Sequence, residues 1–162
     1  MVKIRYCLIP YLYSEFLKAA LRDDMMFKPL AFDFPADHMA KETEDQLLIG
    51  DELMIAPIYK QNAKGRYVYL PEEMMLVRMK TWDQIHTEIL PKGHHYVDIA
   101  LEELVFFIRR QKAIPFGRPA RNTGCIDHSA LQMLGYPGCT YELYADNGFS
   151  PEPETSLSIT TL

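Results

Sequence analysis

From Leu53 onward, apolar residues come in short runs cut by Gly, Pro and Asn, and no stretch keeps a 3.6-residue period. That pattern excludes a helical bundle and predicts strands. The first, at residues 53–58, is apolar throughout. Residues 67–70 make a strand bounded by Gly65 and Pro71, and further strands are expected at 74–80, 85–90, 96–99 and 105–109. Others follow at 112–116, 130–135 and 140–144, and residues 156–162 form a last one after a loop at 151–154. Short strands at this spacing predict an antiparallel β-sandwich, with no long helix between Lys60 and Ala145.

The first fifty residues read differently. Residues 2–21 form a helix: Ile4, Leu8, Tyr11 or Leu12, Glu15 or Phe16, and Ala19 fit the helical period. Pro10 should kink it by removing one backbone donor. Tyr6, Ile9, Tyr13 and Leu17 occupy its other faces, so the helix is apolar almost all round and expects cover on more than one side. After a turn at Arg22, Asp23 and Asp24, residues 30–32 are expected as a buried strand following Pro29 and stopped by Pro35. Asp37 sits where a helix over 40–49 would be capped, and Gly50 ends that helix. No flexible linker separates the two parts, so they should share an interface.

Five segments in this order resemble glycoside hydrolase family 31, and most of all its bacterial α-glucosidases: RYCLIPYLYSEFLKAAL (5–21), KPLAFDFPAD (28–37), EDQLLIGDELMIAPIY (44–59), GRYVYLPEE (65–73) and LVFFIRRQKAIP (104–115). The resemblance implies a (β/α)8 catalytic barrel followed by β-sandwich domains. Only the end of that barrel, residues 1–50, and the proximal C-terminal sandwich, residues 51–162, are matched here. The fold expected is mainly β with an N-terminal α/β remnant, the last helix-strand-helix of a truncated barrel. The resemblance departs at three turns. Gln111 stands where the family has glycine, and Glu73-Met74-Met75 replaces a glycine-x-tryptophan. Asp146-Asn147-Gly148 replaces an Asp-Asp-Gly turn. A positive φ at Gln111 would be strained.

A retaining glycosidase needs two carboxylates, a nucleophile and an acid/base. The family motifs that hold them, of Trp-x-Asp-Met and Gly-Asp-Asn type, do not occur, and the echo at Asp146 and Asn147 follows a sandwich strand. No catalytic residue is therefore assigned, no metal or cofactor is expected, and the substrate-binding residues stay open. Asp33, Asp37, Glu42, Glu44, Asp45 and Asp51 form an acidic cluster in sequence, read either as a carboxylate pair or cation site or as caps and a solvated helix face. They do not match a calcium loop. His94 and His95 are neighbours on a strand and point to opposite faces, and His38, His86 and His128 are scattered, which argues against zinc. Cys7 is expected as a buried helix thiol rather than a nucleophile. Tyr67, Tyr69, Tyr96, Tyr136, Tyr141 and Tyr144 form either an aromatic sugar platform or core and cross-strand pairs.

A net charge of −5 on 162 residues argues against nucleic acid or an anionic membrane as partner. No apolar run is long enough to span a bilayer, and the residues after Lys3 and Arg5 lack signal-peptide features, being broken by Pro10, Glu15 and Lys18. Three sparse cysteines suggest reduced thiols and a cytoplasmic setting. Two readings result. The chain is the C-terminal part of an α-glucosidase-like O-glycosyl hydrolase, itself inactive and structural. Alternatively, it is a stand-alone, non-catalytic carbohydrate-binding or structural module. An α-glucoside or oligosaccharide is the expected small-molecule partner. The uncovered helix implies a missing barrel portion or a homo-oligomer.

Overall fold

A computed structural model describes residues 2–127, 130–145 and 155–160, with no side chains described from Ala145 on. Its elements are α1 (Val2–Arg22), β1 (Phe27–Pro29), α2 (Leu30–Asp33), α3 (His38–Glu42), β2 (Leu47–Ile49), β3 (Leu53–Ile55), β4 (Gly65–Leu70), β5 (Met74–Met79), β6 (Ile85–Leu90), β7 (Gly93–Asp98), β8 (Leu104–Arg109), β9 (Ala113–Phe116), β10 (Gln132–Gly135), β11 (Thr140–Ala145) and β12 (Thr155–Thr160). Every strand pairing is antiparallel. Among the described residues between Lys60 and Ala145, helical conformation is limited to 3₁₀ turns, at Thr123–Cys125 and at Ala130. The fold is mainly β, with helix confined to the N-terminal part, as expected.

The chain packs as two compact units. The first is Phe27–Arg110. Its six-stranded sheet runs β1-β2-β3-β8-β5-β6, and β4 and β7 pair separately. Leu48, Met54, Met74, Leu76 and Phe107 of the large sheet meet Val68, Leu70 and Val97 of β4 and β7 in one core, to which Leu30 and Ala40 add. These two antiparallel layers with side chains between them make a sandwich. Each large side chain so buried contributes about 1.5–3 kcal/mol. β1 and β6 are the sheet edges. Pro29, which has no donor, sits on one, and the exposed His86, Thr87 and Glu88 blunt the other.

Two elements of this unit differ from expectation. The strand expected at 30–32 lies at Phe27–Pro29, and Leu30–Asp33 form a single helical turn closed by Phe34 N–H donating to Leu30 O at 3.0 Å. The helix expected over 40–49 stops at Glu42, and Leu47–Ile49 pair with β3. A three-residue apolar run fits either state, and tertiary pairing decides it. Gly50, at φ 61°, turns β2 into β3. The predicted cap holds: Asp37 accepts from the N–H groups of Met39 and Ala40, at 3.0 and 3.3 Å.

The second unit is Val2–Met26 with the described residues from Gln111 onward. Here α1 runs unbroken through Pro10 and packs on β9 and β11, while β10 pairs with β9 and β12 with β11. Ile4, Cys7, Tyr11, Ser14, Glu15 and Leu17 are buried, whereas Phe16 is 55% exposed and Tyr6, Ile9 and Tyr13 are half-buried. Glu15 is inside because the Tyr141 hydroxyl donates to it at 2.6 Å and Lys18 pairs with it at 2.7 Å. A buried carboxylate with such partners avoids the desolvation cost of a lone one. Gln111 has φ 56°, the left-handed conformation that costs a side chain about 1–2 kcal/mol.

Candidate functional site

The acidic residues divide into separate structures within the first unit. Lys28 Nζ lies 3.0 Å from Asp33 and 2.6 Å from Asp51. Arg109 pairs with Asp33, reaches Glu72 at 2.8 Å, and lies over the Phe34 ring at 4.8 Å. The result is a continuous chain of charges, Asp51–Lys28–Asp33–Arg109–Glu72. Burial opposes the charge on both cations, but the carboxylates outweigh it and raise the pKa of each. Glu42 lies 3.6 Å from His38, and Glu44 is exposed.

Asp37 is held separately. Beyond capping α3, it pairs with Lys92 and accepts from the Tyr69 hydroxyl at 2.7 Å. Lys92 first, then Tyr69, lower its pKa to about 2. Burial and the neighbouring Asp37 push the Tyr69 phenol up. A hollow of ≈ 330 Å³ lies between Asp33, Asp37, Pro35 and Lys92. A carboxyl held ionised in this way is the opposite of a general acid, which needs a raised pKa.

The other candidates stay apart. His94 is exposed against Tyr69, with ring centres 5.0 Å apart, while the Nε2–H of His95 donates to the Pro91 carbonyl at 2.7 Å. His38 and His86 are exposed on α3 and β6, and His128 lies outside the described residues, as do 146–148. Among the described residues, no three His, Cys, Asp or Glu side chains converge as metal ligands would. Burial pushes the Cys7 thiol up to about 11, and its Sγ donates to Lys3 O at 3.3 Å, so it remains a thiol.

The tyrosines also separate. Tyr69 and Tyr141 are core, Tyr136 is half-buried, and Tyr144 is half-buried with Arg22 5.1 Å above its ring. Tyr67 and Tyr96 face one another directly across β4 and β7. Alternation along these strands turns Val68 and Val97 inward and both rings outward. The rings meet edge to face, 5.2 Å apart at 69°. With Tyr59, Lys60, Asp45 and Arg66 they line a groove of ≈ 320 Å³. The Tyr59 hydroxyl donates to Asp45 Oδ2 at 3.3 Å. Arg66 pairs with the same carboxylate and donates to the carbonyls of Asp45, Pro57 and Tyr67 at 3.2, 2.8 and 3.1 Å. Sequence reasoning missed Tyr59, Lys60 and Arg66, because a loop of no regular structure carries the first two to the strand pair. Tyr67 and Tyr96 were among the six tyrosines that the sequence left open between a sugar platform and core or cross-strand pairs; alternation does not separate exposed Tyr67 from Tyr69, two residues on and buried. A larger hollow of ≈ 800 Å³, walled partly by Ile99, Leu101 and Val105, opens on the same loop and has no aromatic lining.

Residues 23–114 match the model of the glycosyl hydrolase family 31 C-terminal domain. Alpha-glucosidase 2 of Bacillus thermoamyloliquefaciens is 31% identical over 152 residues, covering 91% of this chain. An alpha-xylosidase of Saccharolobus solfataricus is 25% identical over 157 residues, covering 94% of this chain and 21% of that protein. Among solved structures, the cycloalternan-forming enzyme from Listeria monocytogenes, in complex with a pentasaccharide substrate, superposes with a TM-score of 0.74 at 25% identity, over 98% of this chain and 15% of that one. The chain spans 18% of the length of the Bacillus protein and 16% of that of an alpha-glucosidase from Schizosaccharomyces pombe.

Proposed function

The chain belongs to glycosyl hydrolase family 31, and on that premise we propose that it is the C-terminal portion of an α-glucosidase-like enzyme. In this reading residues 1–50 finish the (β/α)8 barrel and 51–162 form the proximal sandwich. The whole enzyme hydrolyses α-glycosidic bonds, and this portion is non-catalytic and braces the barrel. The boundary at Gly50 belongs to the family reading; packing cuts the chain elsewhere, because β2 and β3 pair across it. The observation that carries the proposal is the ordered match over most of the chain to about a sixth of much longer relatives. The saturation of Asp33 and Asp37 by cations supports the non-catalytic role. The proposed setting is cytoplasmic, on the sparse and odd cysteine content of the sequence. No helix among the described residues is long and apolar enough to cross a membrane.

The exposed side of α1, where Tyr13 stacks on Phe16 with ring centres 6.4 Å apart, is the face that the rest of the barrel would cover, or a second copy when the chain is alone. Purified chain is expected to release no aryl group from an aryl α-glucoside above the buffer blank, and to scatter light with a mass above the 18.8 kDa of one chain. Turnover abolished by Asp33→Asn or Asp37→Asn would overturn the non-catalytic reading. An adjacent reading frame encoding the earlier barrel strands would support it independently.

A further inference from the structure

The geometry points to the Tyr59–Tyr67–Tyr96 groove as a binding subsite for one pyranose ring of a neutral saccharide. Three tyrosines that are 68%, 71% and 57% exposed line one hollow, so their ring surfaces are not spent on the core. The ≈ 320 Å³ hollow is at the small end of ligand sites, roughly 300–1,000 Å³, enough for a single small ring. A pyranose has faces of C–H groups and an edge of hydroxyls. The first suits an aromatic ring, and the second needs mixed donors and acceptors held in fixed positions.

Both are present. The edge-to-face contact with Tyr96 fixes Tyr67, and Gly65 makes that arrangement possible: a Cβ there would lie 2.9 Å from the Tyr96 hydroxyl and 2.5 Å from Val97 O. Arg66, 12% exposed, spends its donors on the groove floor and clamps Asp45 and the Tyr59 loop. Asp45 is 42% exposed, and its Oδ1 has no hydrogen-bond partner among the described residues. Lys60 lines the same hollow and makes no ion pair among the described residues. The groove therefore offers stacking surface, one acceptor and one donor, with the Asp45 charge already met by Arg66. A quaternary ammonium, the other ligand of aromatic cages, finds Lys60 and Arg66 opposing it, and an anion is the competing ligand that the pyrophosphate control tests.

The test titrates the full chain with maltotriose, isomaltotriose and cellotriose, with pyrophosphate and tetramethylammonium as charged controls, by calorimetry and by tyrosine-proton NMR shifts. At least one trisaccharide is expected to bind with a Kd of about 1 mM, the range of a single weak subsite. Tyr67→Ala should weaken it at least tenfold with an unchanged melting temperature, Tyr67→Phe should retain it, and Asp45→Asn should weaken it. The proposal is overturned by the absence of saccharide binding well above that concentration. It is equally overturned by binding that Tyr67→Ala leaves unchanged, or by binding of a charged control in preference. Because binding is read on the chain alone, its outcome is independent of hydrolysis and of the barrel reading.

Discussion

Asp33 and Asp45 lie in the same unit, and each faces an arginine, yet they end in different chemistry. Asp33 is 19% exposed and shared between Arg109 and Lys28, which are in turn shared with Glu72 and Asp51. Both Asp33 oxygens are engaged by these two cations. Asp45 is 42% exposed, meets a single arginine whose other donors go to backbone carbonyls, and stands among exposed rings. The contrast teaches that neither acidity nor pairing marks a site. What distinguishes the two places is residual hydrogen-bonding capacity beside apolar surface.

Substitutions can separate the two regions. The largest effect should come from the core common to both: Phe107→Ala is expected to cost about 3–5 kcal/mol in urea unfolding, with Tyr67 and Asp37 resonances shifting together. Arg109→Ala should cost about 2 kcal/mol, below the range for fully buried pairs because the network is partly exposed, and should leave saccharide titration unchanged. If Arg66→Ala proved as destabilising as Arg109→Ala, the groove would be a structural clamp like the other network, and the contrast would fail.

Smaller effects sharpen the electrostatics. Asp37→Ala removes the α3 cap and should cost about 1 kcal/mol, whereas Asp37→Asn keeps a cap and loses only the charge. The pKa of Asp37, about 2 in the folded chain, lies below the ordinary aspartate value of about 3.9. Its stabilisation is therefore fully present above the ordinary value and is lost as pH falls toward 2. Asp37→Asn should flatten that part of the acid unfolding curve, and an unchanged curve would remove Asp37 from the account. Tyr67→Ala should change stability by no more than about 0.5 kcal/mol, since its ring is exposed.

Much of the first unit was legible because strand patterning is local. β6 falls at the expected residues, and β4, β5, β7 and β8 fall within a few residues of theirs at either end. The stretch from Phe27 to Ile49 was not, because its apolar runs are three or four residues long and suit a turn of helix or a strand equally. The positive φ at Gln111 was anticipated only through the family resemblance, not from any local pattern.

By itself the sequence determined the β character beyond Leu53, the cap at Asp37, the strands that carry Tyr67 and Tyr96, and the family. Alternation, capping and ordered motifs are written within a few residues of one another. Tertiary structure alone decided that Glu15 is buried while Phe16 is exposed, because Tyr141, the residue whose hydroxyl satisfies that carboxylate, lies 126 positions away. It alone decided that Leu47–Ile49 pair with β3, and that Asp45, Tyr59 and Arg66 meet beside the tyrosine pair. Those outcomes depend on which distant partner completes a hydrogen bond or covers an apolar face, and no local period encodes that partner.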